Sequence, residues 1–390
     1  MNLILKLVAG MAAGILLGLF APDWSVRGLL TVTEAIGQLI KFTVPLIILF
    51  YIASGIASLP RNSGRLLGRT VAFSYGSTLV AGILAFLIAA AVLPLLAPTG
   101  GVAGQSEELK PYFAVAVPPL FDVTSALVAA FVFGTGISAL NTGGLRGFFD
   151  QGRDVIERLL GKVVIPLLPL YIAGVFAAMA ADGSVFTTLK TFGLVLLLVV
   201  LMHWTWLSVL FVVTGLLTGR SPLGLIRGML PAYFTALGTM SSAATIPVTL
   251  RQVKALPVRE SIANFTVPLC ANIHLSGSTI TLVTCATAVM LLSPGASVPG
   301  LGAMMPFILM LGVIMVAAPG APGGAVMSAL GLFTTMLGFN ETQVALMIAL
   351  YLAQDSFGTA TNVTGDAVIA VWMDKTFGAE VEAAATQAAE

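Results

Sequence analysis

Charge is what this chain most lacks. Only 9% of its 390 residues are Asp, Glu, Lys or Arg, against about 25% in an ordinary soluble domain. Eighteen basic residues face 17 acidic ones, for a net charge of +1. That balance excludes a nucleic-acid binder, which needs Lys and Arg clustered on one face. Cysteine is almost absent too: Cys270 and Cys285 both sit inside apolar runs, so neither a disulfide framework nor a Cys-rich metal site can form. What is abundant is apolar surface. With 58% hydrophobic residues and a mean hydropathy of +1.02, the chain has too little polar surface to coat a water-soluble core, and an all-α membrane protein is expected. The opening Met-Asn-Leu-Ile-Leu-Lys runs into an apolar stretch without a small-residue cleavage site, which reads as a first membrane helix rather than a signal peptide.

About 20 apolar residues cross the hydrocarbon core, and six runs of that kind are plain: 4–21, 30–59, 67–97, 113–141, 155–181 and 185–217, with a charged stretch from Gly143 to Lys162. After Arg220 the apolar segments shorten and are interrupted by hydroxyl residues, Gly and Pro. Segment 221–254 has Ser241-Ser242-Ala243-Ala244-Thr245-Ile246-Pro247 at its middle and positive charge at both ends, the pattern of a hairpin that enters and leaves on one side. Segment 257–292 is broken at His274 to Ser278, segment 302–337 at Pro319 to Gly324, and segment 340–377 around Asp355 to Asp366. Irregular backbone at membrane depth is tolerated only where it is buried in protein or lines a wet cavity, so these breaks should converge. Lys6, Arg61, Arg65, Arg69, Arg146, Arg153, Arg158, Lys162, Arg220, Arg227, Arg251, Lys254, Arg259 and Lys375 can share one side, leaving Arg27, Lys110 and Lys190 opposite, with Glu107 and Glu108. The positive-inside rule then puts both termini in the cytoplasm. The expected architecture is eight transmembrane helices plus two re-entrant helical hairpins. Its second half repeats in inverted form, with His274-Leu275-Ser276-Gly277-Ser278 matching Asn362-Val363-Thr364-Gly365-Asp366 in type.

Asp355 and Asp366 are three helical turns apart and share a face, with Thr359 four after the first and Asn362 four before the second. An intramembrane carboxylate is a functional-site hypothesis by default, and a pocket of carboxylate, amide and carbonyl groups suits an ammonium group or a hard cation. Ser241, Ser242 and Thr245 flank a helix start, where N–H donors meet anionic groups. Gly320, Gly323 and Gly324 let backbone approach a ligand closely. His274 has a side chain able to exchange protons near neutral pH. His203, beside Trp204 and Trp206, is expected to sit at an interface or to pack on lipid-side aromatics, and Glu34 and Asp122 to serve interhelical pairing or span ends.

Taken in order, the serine-rich tip Ser241 to Thr249, the tip Gly320-Ala321-Pro322-Gly323-Gly324, and Asp355 through Asn362-Val363-Thr364-Gly365-Asp366 resemble the glutamate transporter family, the dicarboxylate/amino acid:cation symporters, over nearly the whole chain. The resemblance implies a homotrimeric, elevator-type transporter in the inner (plasma) membrane. Scaffold segments would be 1–65 and 98–184, the latter carrying trimerisation. The moving unit would comprise 66–97, 185–219, hairpin 220–256, broken helix 257–293, hairpin 299–338 and broken helix 339–378, before a tail at 379–390. It implies a substrate site at Ser241, Ser242, Thr245, Ala321, Pro322, Gly323, Asp355, Gly358, Thr359 and Asn362, with Asp355 on the amino group and Ser242 on the α-carboxylate. A sodium site falls on Asn362 and Asp366, faced by Ser77 and Thr78 and bordered by Cys270, Asn272, His274 and Ser276.

Two departures from the family pattern narrow the expectation. Members that carry acidic amino acids have an arginine three residues after the amino-binding aspartate, and here that position is Gly358. A second carboxylate would be left unpaired in a desolvated site, costing several kcal/mol. A small neutral amino acid of the serine, threonine or alanine type is therefore expected, as in the bacterial serine/threonine transporters. The family's Asn-Met-Asp-Gly-Thr reads His274-Leu275-Ser276-Gly277-Ser278, so at least one cation site is lost or weakened, and coupling falls to sodium first, to a proton second and to uncoupled exchange last. The alternatives are an acidic amino acid or dicarboxylate symporter with altered coupling and, more remotely, a channel, a transport-inactive receptor or an intramembrane hydrolase. The last lacks a Gly-x-Ser-x-Gly elbow, and no enzyme is expected.

Overall fold

Glycine spacing decides how the first helix packs. Gly10, Gly14 and Gly18 recur every four residues along α1 (Leu3–Phe20), and a Cβ at each would overlap the backbone carbonyl of Pro169, Ala173 or Ala177 on α6 (Ile165–Ala181). Small residues at that spacing let two membrane helices approach backbone to backbone. The computed structural model describes residues 3–57, 64–96, 109–140, 143–256, 258–292, 298–316 and 318–387, and among them there are helices and connecting segments but no strand. Arg61, Glu107 and Glu108 lie outside the described residues.

α2 (Asp23–Ala57) packs against α4 (Val123–Leu140), α5 (Gly143–Leu159) and α6, and α3 (Gly64–Leu96) packs elsewhere, against the second half of the chain. α4 begins ten residues later than the apolar run suggests. Pro118 and Pro119 lack the N–H a helix interior needs, and Asp122 sets the start by accepting from the Ser125 N–H at 2.9 Å and the Ser125 hydroxyl at 2.6 Å. Those donors hold the Asp122 carboxyl below the usual carboxylate range. The charged stretch forms a helix: α5 is amphipathic, and a π-helical turn at Leu160–Val164 joins it to α6. It buries Phe149 against Phe50, and Ser54 of α2 donates to Asp150 at 2.6 Å.

The second half contains α7 (Val185–Thr218) and a helical hairpin, α8 (Pro222–Thr239) and α9 (Ser242–Ala255), turned by Met240 in the left-handed region. α10 (Glu260–Ile273) and α11 (Ser276–Leu292) are two halves broken at His274-Leu275. A second hairpin pairs α12 (Leu301–Met315) with α13 (Gly324–Met336). The expected break in the last segment is not there: α14 runs without interruption from Glu341 to Gln387, through Asp355 and Asp366 and into the expected tail. One glycine in a helix costs only about 1 kcal/mol, and Gly365 has a different use, since a Cβ there would sit 2.8 Å from His274 Cε1. The internal match between the two polar pentapeptides is thus one of residue type and not of backbone shape.

α11 lies between α3 and α14, and α14 also contacts α7, α8 and α10. The α2 side meets this group at α13 and at Glu341, whose carboxylate accepts from Lys41 Nζ at 2.7 Å and whose carbonyl accepts from the Tyr171 hydroxyl at 3.2 Å. Among the described residues six helical stretches are long and apolar enough to cross a membrane: Asp23–Ala57, Arg65–Leu95, Val123–Leu140, Gly143–Ala181, Val185–Thr218 and Glu260–Leu292.

Candidate functional site

The two hairpin tips and the helix break meet against one face of α14. The break matters because it exposes the first N–H groups of α11, which no intrahelical carbonyl can reach. Asn362 of α14 supplies the acceptor: its Oδ1 takes the N–H of Gly277 at 2.7 Å and of Ser278 at 3.2 Å, while its Nδ2 donates to Ser278 Oγ at 2.9 Å. Tyr351 donates its hydroxyl to the same Ser278 oxygen at 3.1 Å. From the far side His203, 1% exposed, sets Nε2 3.0 Å from the Gly277 carbonyl. Of the two places expected for it, the one among lipid-side aromatics is ruled out; it braces the break from within the bundle.

Asp355, 3% exposed, accepts the N–H of Gly323 at 2.7 Å. Gly323 reaches it because its φ of 74° turns the backbone as few side-chain-bearing residues do. The Thr359 hydroxyl lies 3.5 Å from the other carboxylate oxygen. The first tip closes on the second, with the Ser241 hydroxyl donating to the Gly320 carbonyl at 2.6 Å while accepting from the Ala244 N–H at 3.2 Å as the cap of α9. Gly320 permits this approach, since a Cβ there would sit 3.2 Å from the Ala243 nitrogen. Beneath the joined tips is a small space of ≈ 10 Å³ lined by Ser242, Ala321, Asp355, Thr359 and Asn362, together with Ser278 and Tyr351. That is room for one water at most, so a larger ligand requires the tips to part. Among its described lining residues Asp355 is the sole charged side chain.

Of the expected substrate residues, Ser241, Thr245, Pro322, Gly323 and Gly358 stand outside that wall. Thr245 is fully buried and donates to the Ser241 carbonyl at 2.8 Å, holding the tip's own turn. Gly358 backs onto α11, its nearest would-be Cβ contact being Thr281 Oγ1 at 3.4 Å. Pro322 follows Ala321 in the second tip without lining the space.

Of the expected cation residues, His274, Asp366 and Ser77 come together one turn beyond Asn362. His274 is wholly buried, its Nδ1 3.0 Å from Asp366 Oδ1 and its Nε2 2.9 Å from the Ser77 hydroxyl. Cys270 sits 3.6 Å from Ser74. The buried hydroxyls of Thr78 and Ser276 have no hydrogen-bond partner, which leaves oxygen donors of the kind a hard cation takes. Asn272 does not join them: its side chain donates to the Pro268 carbonyl at 3.2 Å and lines a separate, larger cavity. No group of three or more His, Cys, Asp or Glu able to hold a metal occurs among the described residues. Sequence reasoning missed Tyr351, His203 and Ser278 as site residues. Tyr351 stands one turn before Asp355 and was legible by spacing, whereas nothing local marks His203.

The chain is 28% identical over 305 residues to the serine/threonine transporter SstT of Streptococcus suis (strain 05ZYH33), covering 72% of this chain and 81% of that one. It is 29% identical over 262 residues to excitatory amino acid transporter 4 of Mus musculus, covering 66% of this chain and 46% of the relative. Against excitatory amino acid transporter 1 of Bos taurus it is 28% identical over 272 residues, covering 67% and 48%. It thus spans about half the length of these mammalian relatives. The family model for the sodium:dicarboxylate symporter family matches residues 3–376, nearly everything from the first helix through Asp366, and the chain belongs to that family, one of symporters and not of enzymes.

Proposed function

We propose that the protein is a secondary active transporter that takes up a small neutral amino acid together with a cation. One observation carries the substrate class: the space beneath the hairpin tips offers one ionised group, the Asp355 carboxylate, and no guanidinium or ammonium. A substrate ammonium completes that charge. A second substrate carboxylate would sit unpaired in a desolvated pocket, at a cost of several kcal/mol. In this reading Asp355 and Thr359 hold the amino group, Ser242 and the start of α9 take the α-carboxylate, and the tip at Ala321 to Gly323 opens and closes the site. The serine/threonine transporter from Streptococcus suis supports the neutral substrate.

Sodium is the coupling ion of this reading. The carboxylate of Asp366 and the unpartnered hydroxyls of Thr78 and Ser276 supply oxygen donors for it. The contact of His274 with Asp366 favours a second reading, in which a proton on that pair replaces one cation. The moving unit is α3 and α7–α14, working like an elevator against α1, α2 and α4–α6, through which three copies associate. The hairpins are re-entrant and both ends are cytoplasmic, in the plasma membrane. Uptake of labelled serine into vesicles tests the reading. Counterflow of labelled against unlabelled serine marks a carrier, and its absence despite permeation marks a channel.

A further inference from the structure

We propose that the cavity outside the joined hairpin tips is a second amino-acid site, which holds the zwitterion before or after it passes the tips. The cavity measures ≈ 410 Å³, within the usual range for small-molecule pockets and far larger than the ≈ 10 Å³ beneath the tips. Pro319, Gly320 and Ala321 line both spaces, so the second tip is the partition between them. Ser241 faces the outer cavity and Ser242 the inner one.

The far wall of the outer cavity carries chemistry that membrane packing does not need. Arg153 and Glu157 both line it from α5. They are four residues apart and so lie on one helix face, with Cβ atoms about 6 Å apart, and they present one charge of each sign. Arg153 already donates to Ser54 at 3.2 Å through Nη1 and to the exposed Asp154 through Nε and Nη2. A guanidinium has five N–H donors, so two remain. Tyr51 of α2 lines the same cavity, is 4% exposed, and has a buried hydroxyl with no hydrogen-bond partner. An orphaned buried hydroxyl is costly to keep, and a carboxylate in the cavity would accept from it. An α-amino acid matches the set, with its carboxylate on Arg153 and Tyr51 and its ammonium on Glu157. The site draws its ligand class from the transport reading, while its residues belong to α2 and α5 and not to the Asp355 pocket.

The test uses full-length protein in detergent with L-serine as probe, by radiolabel binding for a tight class and saturation-transfer NMR for a weak one. Serine methyl ester and lactate serve as ligands lacking one of the two charges. The expected result is two classes in the unaltered protein. Asp355→Asn removes the tight one alone, and Tyr51→Phe, Arg153→Gln or Glu157→Gln each weakens the other about tenfold or more, as loss of a hydrogen bond to a charged group does. The ester and lactate bind the weak class worse than serine. Tyr51→Phe deletes an oxygen that bonds to nothing, so its melting temperature should not fall, which separates ligand loss from misfolding. A single class that is lost in Asp355→Asn and unmoved by the other three overturns the second site and leaves the transport reading standing. Serine binding that ignores Asp355 but fails in Tyr51→Phe supports the second site and sinks the reading of the inner pocket. No serine binding of either class overturns both.

Discussion

Asn362→Leu should cripple the protein chiefly by unmaking the helix break, before any question of substrate. The amide oxygen accepts two N–H groups of α11, at 2.7 and 3.2 Å, and the amide nitrogen donates to Ser278 at 2.9 Å. Leucine has a similar volume, so the cavity cost is small. The loss is two buried N–H donors left without acceptors, each costing about 1–3 kcal/mol, or roughly 2–6 kcal/mol together. Ser278→Ala is the comparator. It removes an oxygen that accepts from Asn362 and Tyr351 but leaves both backbone N–H groups paired; the Tyr351 hydroxyl still has the Asp355 carboxylate as an acceptor, so one donor, the Asn362 amide, is orphaned at about 1–3 kcal/mol. The assay is thermal unfolding of both variants in the same detergent, followed by tryptophan emission, with serine binding measured on the fraction that remains folded. The expected order is unaltered protein, then Ser278→Ala, then Asn362→Leu, with the last several degrees below the second. An Asn362→Leu protein that melts with the parent would refute the role given to this side chain, and Asn362 would then have to be a ligand contact only.

Asp355→Asn should leave melting nearly unchanged while weakening serine binding more than a hundredfold, because breaking a buried charge pair costs about 3–5 kcal/mol; unchanged affinity in direct binding would remove the amino-group role. Gly277→Ala and Gly358→Ala form a matched pair across the same contact. A Cβ on Gly277 would overlap the Gly358 carbonyl and lie 2.6 Å from Thr361 Cβ, forcing backbone movement at about 1–3 kcal/mol. A Cβ on Gly358 meets nothing nearer than 3.4 Å and gains helix propensity. Melting should therefore fall for the first and hold or rise for the second, and equal melts would contradict the packing. Replacing sodium by choline should weaken serine binding. Binding that ignores sodium but shifts between mildly acidic and mildly basic pH would move coupling to the His274–Asp366 pair, and His274→Gln should then abolish the shift.

The order of segments, both hairpin tips and the shared face of Asp355, Thr359 and Asn362 were legible because they are local: a turn sequence or a 3.6-residue spacing is enough to state them. Gly365 shows where that reasoning fails. It lies in the stretch where a helix break was expected, yet its lack of a side chain serves the approach of the His274 ring across α10 and α14, and the helix continues. The stretch from Gly143 to Lys162 failed in the opposite sense. Its charges marked only a separation between spans, and that they decorate one face of α5, whose other face packs on Phe50 of α2, was not read from them. The contact of His203 with the Gly277 carbonyl and the absence of Asn272 from the His274–Asp366 contact were illegible for the same reason. Which of two buried-looking polar residues reaches the helix break is fixed by which helices pass near it, and that is a tertiary fact.

The central claim is that a lone carboxylate beneath the hairpin tips selects an amino group without a second acidic group. Equilibrium binding of serine, threonine, alanine, aspartate and succinate to the purified protein, each with sodium and with choline at two pH values, tests it most directly. The account predicts that the neutral amino acids bind best, in sodium, and that succinate, which has no ammonium, does not bind at all. Aspartate or succinate binding more tightly than serine would contradict it, and would require a cation from outside the Asp355 wall to face the second carboxylate.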